Sequence, residues 1–496
     1  MVPGVVTLKP DRGDTGQMKY FSTRGNDGPL GYEAALLSGL ARDGGLYLPE
    51  HYPAFSVDDI RAMADLPYAA LAGRIMARFT DGEIDEAELA AMAQDAYAGF
   101  TDPAVAPLKH LSGNIHVLEL FHGPTIAFKD YAMQFLSRAF DRALQGAGRQ
   151  AVILGATSGD TGSAALEAFQ GRESVDIFIL FPNGRVSPVQ QRQMTSVDAA
   201  GAHAVAVAGD FDDCQAIVKA LFNDHDFRDT VNLSAVNSIN WARLMPQIVY
   251  YFSSALALGA PDRKVAFSVP TGNFGNVFAG YVAMRMGLPI ERLIVASNRN
   301  DILTRFFEQG AMQRDNVVPS LSPSMDIQVS SNFERLLFEL LDRDGARVAD
   351  IMASFAKTGH FDLPEDAMAK AHAIFSAYRL DDDGTIAEIA ASMAGEGMCL
   401  DPHSAVGVSA ARRAIADGTV GPDIPVVALA CAHPAKFEGA VKQATGMAPA
   451  LPPHLADLMT RPEKMDKAPA SAASVRDLVL AQRLSLIHIS EPTRPY

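Results

Sequence analysis

From Asn114 onward the chain repeats one pattern, a short β-branched or apolar run followed by an amphipathic helical stretch. The runs are Ala151 to Leu154, Ile177 to Phe181, Ala204 to Val207, Val265 to Val269, Leu293 to Ala296 and Val426 to Ala430. Strands apolar on both faces and alternating with helices bury themselves in a parallel sheet covered by crossover helices, so the pattern predicts an α/β architecture over a core spanning 101–480. Ahead of it, residues 18–100 carry Gly/Asp-rich turns and Ala-rich stretches such as Val57 to Ala64 and Glu83 to Ala98. Apolar residues recur there at three and four, which predicts a small, mainly helical N-terminal domain. A further helical stretch is expected over about 364 to 396. Residues 1–17 lack periodicity and read as a disordered or non-native leader, and 484–496 (LSLIHISEPTRPY) change composition abruptly and read as an adapter-derived tail.

Composition removes several function classes. Lys and Arg total 42 against 58 Asp and Glu, a formal charge of −16, so the chain has no general attraction for phosphate backbones or anionic lipid. Neither a nucleic-acid nor a membrane partner is expected. The three cysteines, Cys214, Cys399 and Cys431, form no CxxC pair. That argues against a metal site or a disulfide framework and for a reducing, cytoplasmic setting.

Three strand-to-helix junctions carry the chemistry. In His122-Gly-Pro-Thr-Ile-Ala-Phe-Lys-Asp130 a turn delivers Lys129 beside Asp130, a good N-cap, ahead of a helix with apolar positions Tyr131, Phe135, Ala139 and Ala143. An amine at the positive end of a helix loses its proton more readily, and a partly neutral amine can attack a carbonyl to form a Schiff base. By itself a solvated helix-start lysine is the commoner reading. Val152 to Ser163 reads as a strand, a Gly/Ser/Thr loop and a helix opening near Gly162, able to hold an anion with backbone N–H groups and hydroxyls. The loop matches neither a Walker, a GxGxxG nor a GxSxG pattern. Val269-Pro-Thr-Gly-Asn-Phe-Gly-Asn276 has two glycines three apart, so the main chain can close around a phosphate at the start of the next helix.

Two more segments stand out. Asn237-Ser-Ile-Asn-Trp-Ala-Arg243 holds the only tryptophan and an arginine suited to a phosphate or carboxylate, with a surface salt bridge as the competing reading. Cys431 follows the run Val426 to Ala430, at a strand end where α/β folds place ligands, though by itself a core cysteine is the commoner reading.

A Schiff-base lysine, a phosphate nest and a strand-end group together describe pyridoxal phosphate. MKYFSTRG (18–25), HGPTIAFKD, GATSGDTG, NSINWAR, PTGNFGN, DPHSAVG (401–407) and CAHPAKF moreover occur in the order typical of threonine synthases, and the resemblance covers 18–480. It implies a fold type II pyridoxal phosphate enzyme that converts O-phospho-L-homoserine and water to L-threonine and phosphate, as a monomer or a homodimer. It also implies residue roles. Lys129 looks like the lysine that holds the cofactor, and Gly272, Asn273, Phe274, Gly275 and Asn276 look like the cup for its phosphate. Cys431 falls against the ring nitrogen, where a hydroxyl residue is more usual, and Asp160 stands where many relatives have an asparagine beside the ring hydroxyl. Thr157, Ser158 and Thr161 resemble the segment that holds the substrate carboxylate, and Arg243 is the candidate for the substrate phosphate by charge. The same lysine and nest would serve a threonine or serine dehydratase of that fold, or a catalytically silent phosphate-binding relative.

Overall fold

The computed structural model describes residues 18–235 and 238–490, with side chains through 483. The leader 1–17, Asn237 and residues 491–496 lie outside the described residues. Within the expected tail, the backbone of 484–490 continues the helix Ala472–Ser490.

All six apolar runs are strands, but they divide between two sheets. One has the strand order Phe375–Arg379, Ile290–Ser297, Val265–Pro270, Val426–Ala430, Ile115–Glu119, Leu108–Ser112, with every neighbouring pair parallel except the last. The other is parallel throughout, in the order Asp466–Pro469, Ala202–Ala208, Val175–Pro182, Ala151–Ala156, Leu233–Ser234. The single sheet read from the sequence is therefore corrected to two, because apolar runs reveal burial and leave strand partners open. The stretch 364–396 is corrected too: the helices Glu365–Ile374 and Asp382–Glu396 flank the strand Phe375–Arg379, which pairs along Leu293 to Ser297.

Residues 18–100 fold into the helices Tyr32–Ser38, Val57–Arg61, Tyr68–Thr80 and Glu86–Tyr97, plus an antiparallel pair of short strands, Tyr20–Ser22 with Tyr47–Pro49. Their apolar faces belong to the same buried cluster as the helices Lys129–Gly146 and Trp241–Ala257. Trp241 sits at that junction, its ring 6.1 Å from Tyr20 and 5.5 Å from Phe79. The fully buried Arg335 donates from Nε and Nη2 to the Tyr47 carbonyl and from Nη2 to that of Ile239. These buried guanidinium donors thus find main-chain acceptors across the junction.

No described helix is long and apolar enough to cross a membrane.

Candidate active site

A cleft of about 2920 Å³ opens at the carboxyl ends of strands from both sheets, and every site residue read from the sequence lines it. Thr157, Ser158, Asp160 and Thr161 follow the strand Ala151–Ala156 of one sheet, Gly272, Asn273, Phe274, Gly275 and Asn276 follow Val265–Pro270 and Cys431 follows Val426–Ala430 of the other, and Lys129 and Arg243 come from the helices Lys129–Gly146 and Trp241–Ala257.

Lys129 is the first residue of its helix, and the segment before it is laced to the Cys431 strand end. Phe128 N donates to the Cys431 carbonyl at 2.8 Å and His433 N to the Ile126 carbonyl at 3.0 Å. These bonds fix the amine and the thiol relative to one another. Asp130 is not the N-cap expected: Phe128 holds that position, while the Asp130 carboxylate turns back to accept from Thr125 N and Thr125 Oγ1 at 2.9 and 2.6 Å. A buried acceptor chooses the donors nearest to it, and here those belong to the turn. Burial raises the Asp130 carboxyl to about 6.

The helix Asp160–Phe169 begins two residues before the expected Gly162. Thr157 Oγ1 accepts from the amides of Gly159 and Gly162, so this hydroxyl shapes the loop, while Ser158 is exposed at the cleft. Asp160 is buried and fully engaged. Its Oδ2 lies 3.4 Å from Lys129 Nζ and accepts from Ser324 Oγ, while Oδ1 meets Lys436 Nζ at 2.9 Å and accepts from Gln190 Nε2 at 2.8 Å. Burial alone would raise its pKa, but Lys436, then Lys129, and the Gln190 hydrogen bond outweigh it and hold the carboxyl well below the usual carboxylate range.

At the third junction Phe274 adopts φ 63° and launches the helix Gly275–Arg285. Close packing explains the glycines: a Cβ on Gly272 would meet the Ser324 carbonyl at 3.0 Å, and one on Gly275 would meet Asn332 Nδ2 at 3.3 Å. The hydroxyls of Tyr250 and Tyr251 donate to Asn276 Oδ1 at 2.8 and 2.9 Å. Asn276 Nδ2 is left buried, with no acceptor among the described residues. An orphaned donor at the mouth of a glycine cup and a helix N-terminus suits a phosphate, so these residues fit the cofactor the sequence implies.

Cys431 is 5 % exposed, and burial pushes its thiol well up, so it meets the cleft uncharged. Arg243 lies in the first turn of Trp241–Ala257 and is buried, which lowers its guanidinium to about 10 and leaves it charged at neutral pH. His403 also lines the cleft, accepting from Ser324 N at 3.2 Å while its other nitrogen donates to Asp401 at 2.8 Å. Sequence reasoning does not single out Lys436, Gln190, Ser324 or His403. Lys436 and His403 lie inside recognised motifs, and a lysine beside the apolar run Val426 to Ala430 was the available signal.

Three family models cover the chain in order. They are the threonine synthase N terminus over 19–97, pyridoxal-phosphate dependent enzyme over 103–357, and threonine synthase, C-terminal, over 404–479. A threonine synthase of Pseudomonas aeruginosa is 51% identical over 463 residues, 93% of this chain and 98% of that protein. The chain belongs to the threonine synthase family. It is a pyridoxal phosphate-dependent enzyme of fold type II. A Saccharomyces cerevisiae threonine synthase is 42% identical over 458 residues, covering 86% of this chain and 88% of that one. Among solved structures, the pyridoxal phosphate-bound threonine synthase of Brucella melitensis superposes with a TM-score of 0.91 at 54% identity, covering 94% of this chain and 99% of that one. A threonine synthase from yeast superposes with a TM-score of 0.89 at 38% identity, covering 95% of this chain and 100% of that one.

Proposed function

We propose that this cleft converts O-phospho-L-homoserine and water to L-threonine and inorganic phosphate, with Lys129 as its catalytic base and acid. The observation that carries the reading is the meeting of the Lys129 amine, the glycine cup and the Cys431 thiol in one cleft, in a chain matched by threonine synthase models at both ends.

Bound pyridoxal phosphate supplies an electron sink for carbanionic character next to the substrate nitrogen. Lys129 would hold its aldehyde, and Gly272 to Asn276 would hold its phosphate through backbone N–H groups, with Asn276 Nδ2 as a further donor. Cys431 would present a neutral thiol to the ring nitrogen, which would favour an unprotonated ring, and Asp160 Oδ2 stands beside the Lys129 nitrogen.

Turnover requires protons to leave Cα and Cβ, phosphate to leave Cγ, protons to be returned to Cγ and Cα, and water to add at Cβ. The Lys129 amine would collect and return these protons, since one swinging side chain can reach adjacent carbons on one face. Ser158, Thr161 and the N-terminus of Asp160–Phe169 hold the substrate carboxylate, in a loop shaped by Thr157. Arg243 meets the substrate phosphate, and a buried guanidinium that strengthens its contact as negative charge gathers on the departing group accelerates its loss. The free cysteines Cys214, Cys399 and Cys431 support a cytoplasmic setting.

Incubating the purified protein with O-phospho-L-homoserine should yield threonine and orthophosphate in equal amounts, and neither with Lys129→Ala. Failure to form threonine, with a 2-oxo acid released from threonine or serine instead, would assign the chain to dehydratase chemistry.

A further inference from the structure

We propose that Lys436 is a positioning residue that acts through Asp160: as a fixed cation behind the carboxylate, it cancels the charge Asp160 shows to the Lys129 nitrogen and so sets where that nitrogen titrates. The inference rests on the reading that Lys129 holds the cofactor.

The geometry is specific. The Lys436 side chain has no exposed surface, and its ammonium touches two acceptors, Asp160 Oδ1 and the Thr125 carbonyl, each at 2.9 Å. It reaches the far side of a carboxylate whose near oxygen, Oδ2, lies 3.4 Å from Lys129 Nζ. Burying an ammonium is costly without a paired charge, and a motif that needed only to fill this space would use an apolar side chain. The nearby His403 and Asp401 form their own couple, with His403 accepting from Ser324 N. Gln190 and Ser324 donate neutral hydrogen bonds to Asp160, the Cys431 thiol is uncharged, and Asp130, which also feels Lys436, points its carboxylate at Thr125. Asp160 and Lys436 together present no net charge to Lys129. Without Lys436 they present −1, and without the Asp160 charge they present +1.

Opposite signs make the test. In holoprotein, the visible band of the cofactor is titrated in wild type, Lys436→Met, Asp160→Asn and the double variant. The midpoint should rise by roughly one unit or more in Lys436→Met and fall by a similar amount in Asp160→Asn, the scale for a charge within a few ångström. It should return to within about half a unit of wild type in the double variant, since the two shifts cancel. Shifts of the same sign, no shift in Lys436→Met, or no cancellation would overturn the proposal. If Lys436→Met does not fold, Lys436→Gln, which can still donate to the Thr125 carbonyl, carries the same expectation. Loss of folding in both, with Asp160→Asn intact, would make Lys436 structural and also overturn it. Borohydride reduction followed by peptide mass mapping separates the two readings, because cofactor attached anywhere other than Lys129 refutes the assignment of Lys129 itself.

Discussion

Arg24 grips Glu334 with two nitrogens, Nε to Oε1 and Nη2 to Oε2, each at 3.0 Å. The neighbouring Thr23 adds its hydroxyl to Oε1 at 2.6 Å, so one buried carboxylate of the core anchors the strand region at the start of the chain. Charge-assisted bidentate pairs are stronger and more directional than single hydrogen bonds. Glu334→Gln should therefore loosen the Tyr20–Ser22 and Tyr47–Pro49 pair before the rest of the fold, at a cost of about 2 kcal/mol. Hydrogen exchange across these two strands is the measurement, and unchanged protection there would mean that apolar packing around Trp241 carries the docking alone.

Asn276 makes a sharper case. Two tyrosine hydroxyls occupy its Oδ1 and leave Nδ2 as a buried donor awaiting an acceptor. Asn276→Asp keeps the acceptor for Tyr250 and Tyr251 but replaces the donor with negative charge facing the glycine cup. Loss of one charge-assisted hydrogen bond is worth about 2 kcal/mol, or roughly a 30-fold weaker hold on pyridoxal phosphate. Equilibrium dialysis of cofactor against the variant decides it, and an unchanged dissociation constant would take Asn276 out of the phosphate site.

Gly159 stands at φ 145°, and a Cβ there would lie 2.3 Å from Gln190 Cδ. The conformation and the contact both exclude a side chain. Gly159→Ala should push Gln190 away from Asp160 Oδ1, add backbone strain of about 1–3 kcal/mol, and lower turnover more than thermal stability. Comparing kcat with the unfolding temperature separates the two effects. Turnover equal to wild type would show that the loop tolerates the shift.

The strand content was legible because six runs are apolar on both faces, and the cleft was legible because three junctions of strand, loop and helix carry anion-binding residues. The division into two sheets was hidden, since strand partners are set by contacts far along the chain. Phe375–Arg379 was also hidden: it is an edge strand, only half-buried along most of its length, and it shows no apolar run. Asp130 has the right chemistry for an N-cap, yet the turn before it offered Thr125 as a closer donor. Lys436 lies within a recognised motif and still escapes notice, because a lysine in a Pro-containing turn ordinarily reaches water. Only the fold reveals that its side chain is sealed against Asp160.

Asp130 and His433 should pull stability in opposite directions over one pH range. Asp130 titrates at about 6 in the fold against 3.8, so its contribution is fully present below pH 4 and lost as pH rises through 6. His433 is lowered by burial, then by His122, from 6.5 to about 4, so the fold is penalised as pH falls from 6.5 toward 4. Each effect is at most about 3 kcal/mol, and smaller for the half-buried His433. In urea unfolding, Asp130→Asn should gain on wild type as pH rises from 4 to 7. His433→Asn, which can still cap Ala435 N, should gain on wild type as pH falls. Parallel curves for either variant would remove that group from the balance.

Cys431 tests the claim that the ring nitrogen meets a neutral partner. Its Sγ lies 3.8 Å from the Leu429 carbonyl, its own amide donates to Ser404 Oγ, and burial followed by nearby Asp401 pushes the thiol upward. Alkylation requires thiolate, so the folded protein freed of cofactor should keep Cys431 unmodified by iodoacetamide at pH 8, while the urea-unfolded chain is labelled. Access and charge are then separated by Cys431→Ser. A hydroxyl is as neutral as the thiol and slightly smaller, so this variant should retain the cofactor's visible band at the same wavelength and the same pH midpoint. A displaced band in the Cys431→Ser variant, or rapid labelling of Cys431 in the native fold, would instead mean that this position carries charge, and the ring would then be drawn toward its protonated form.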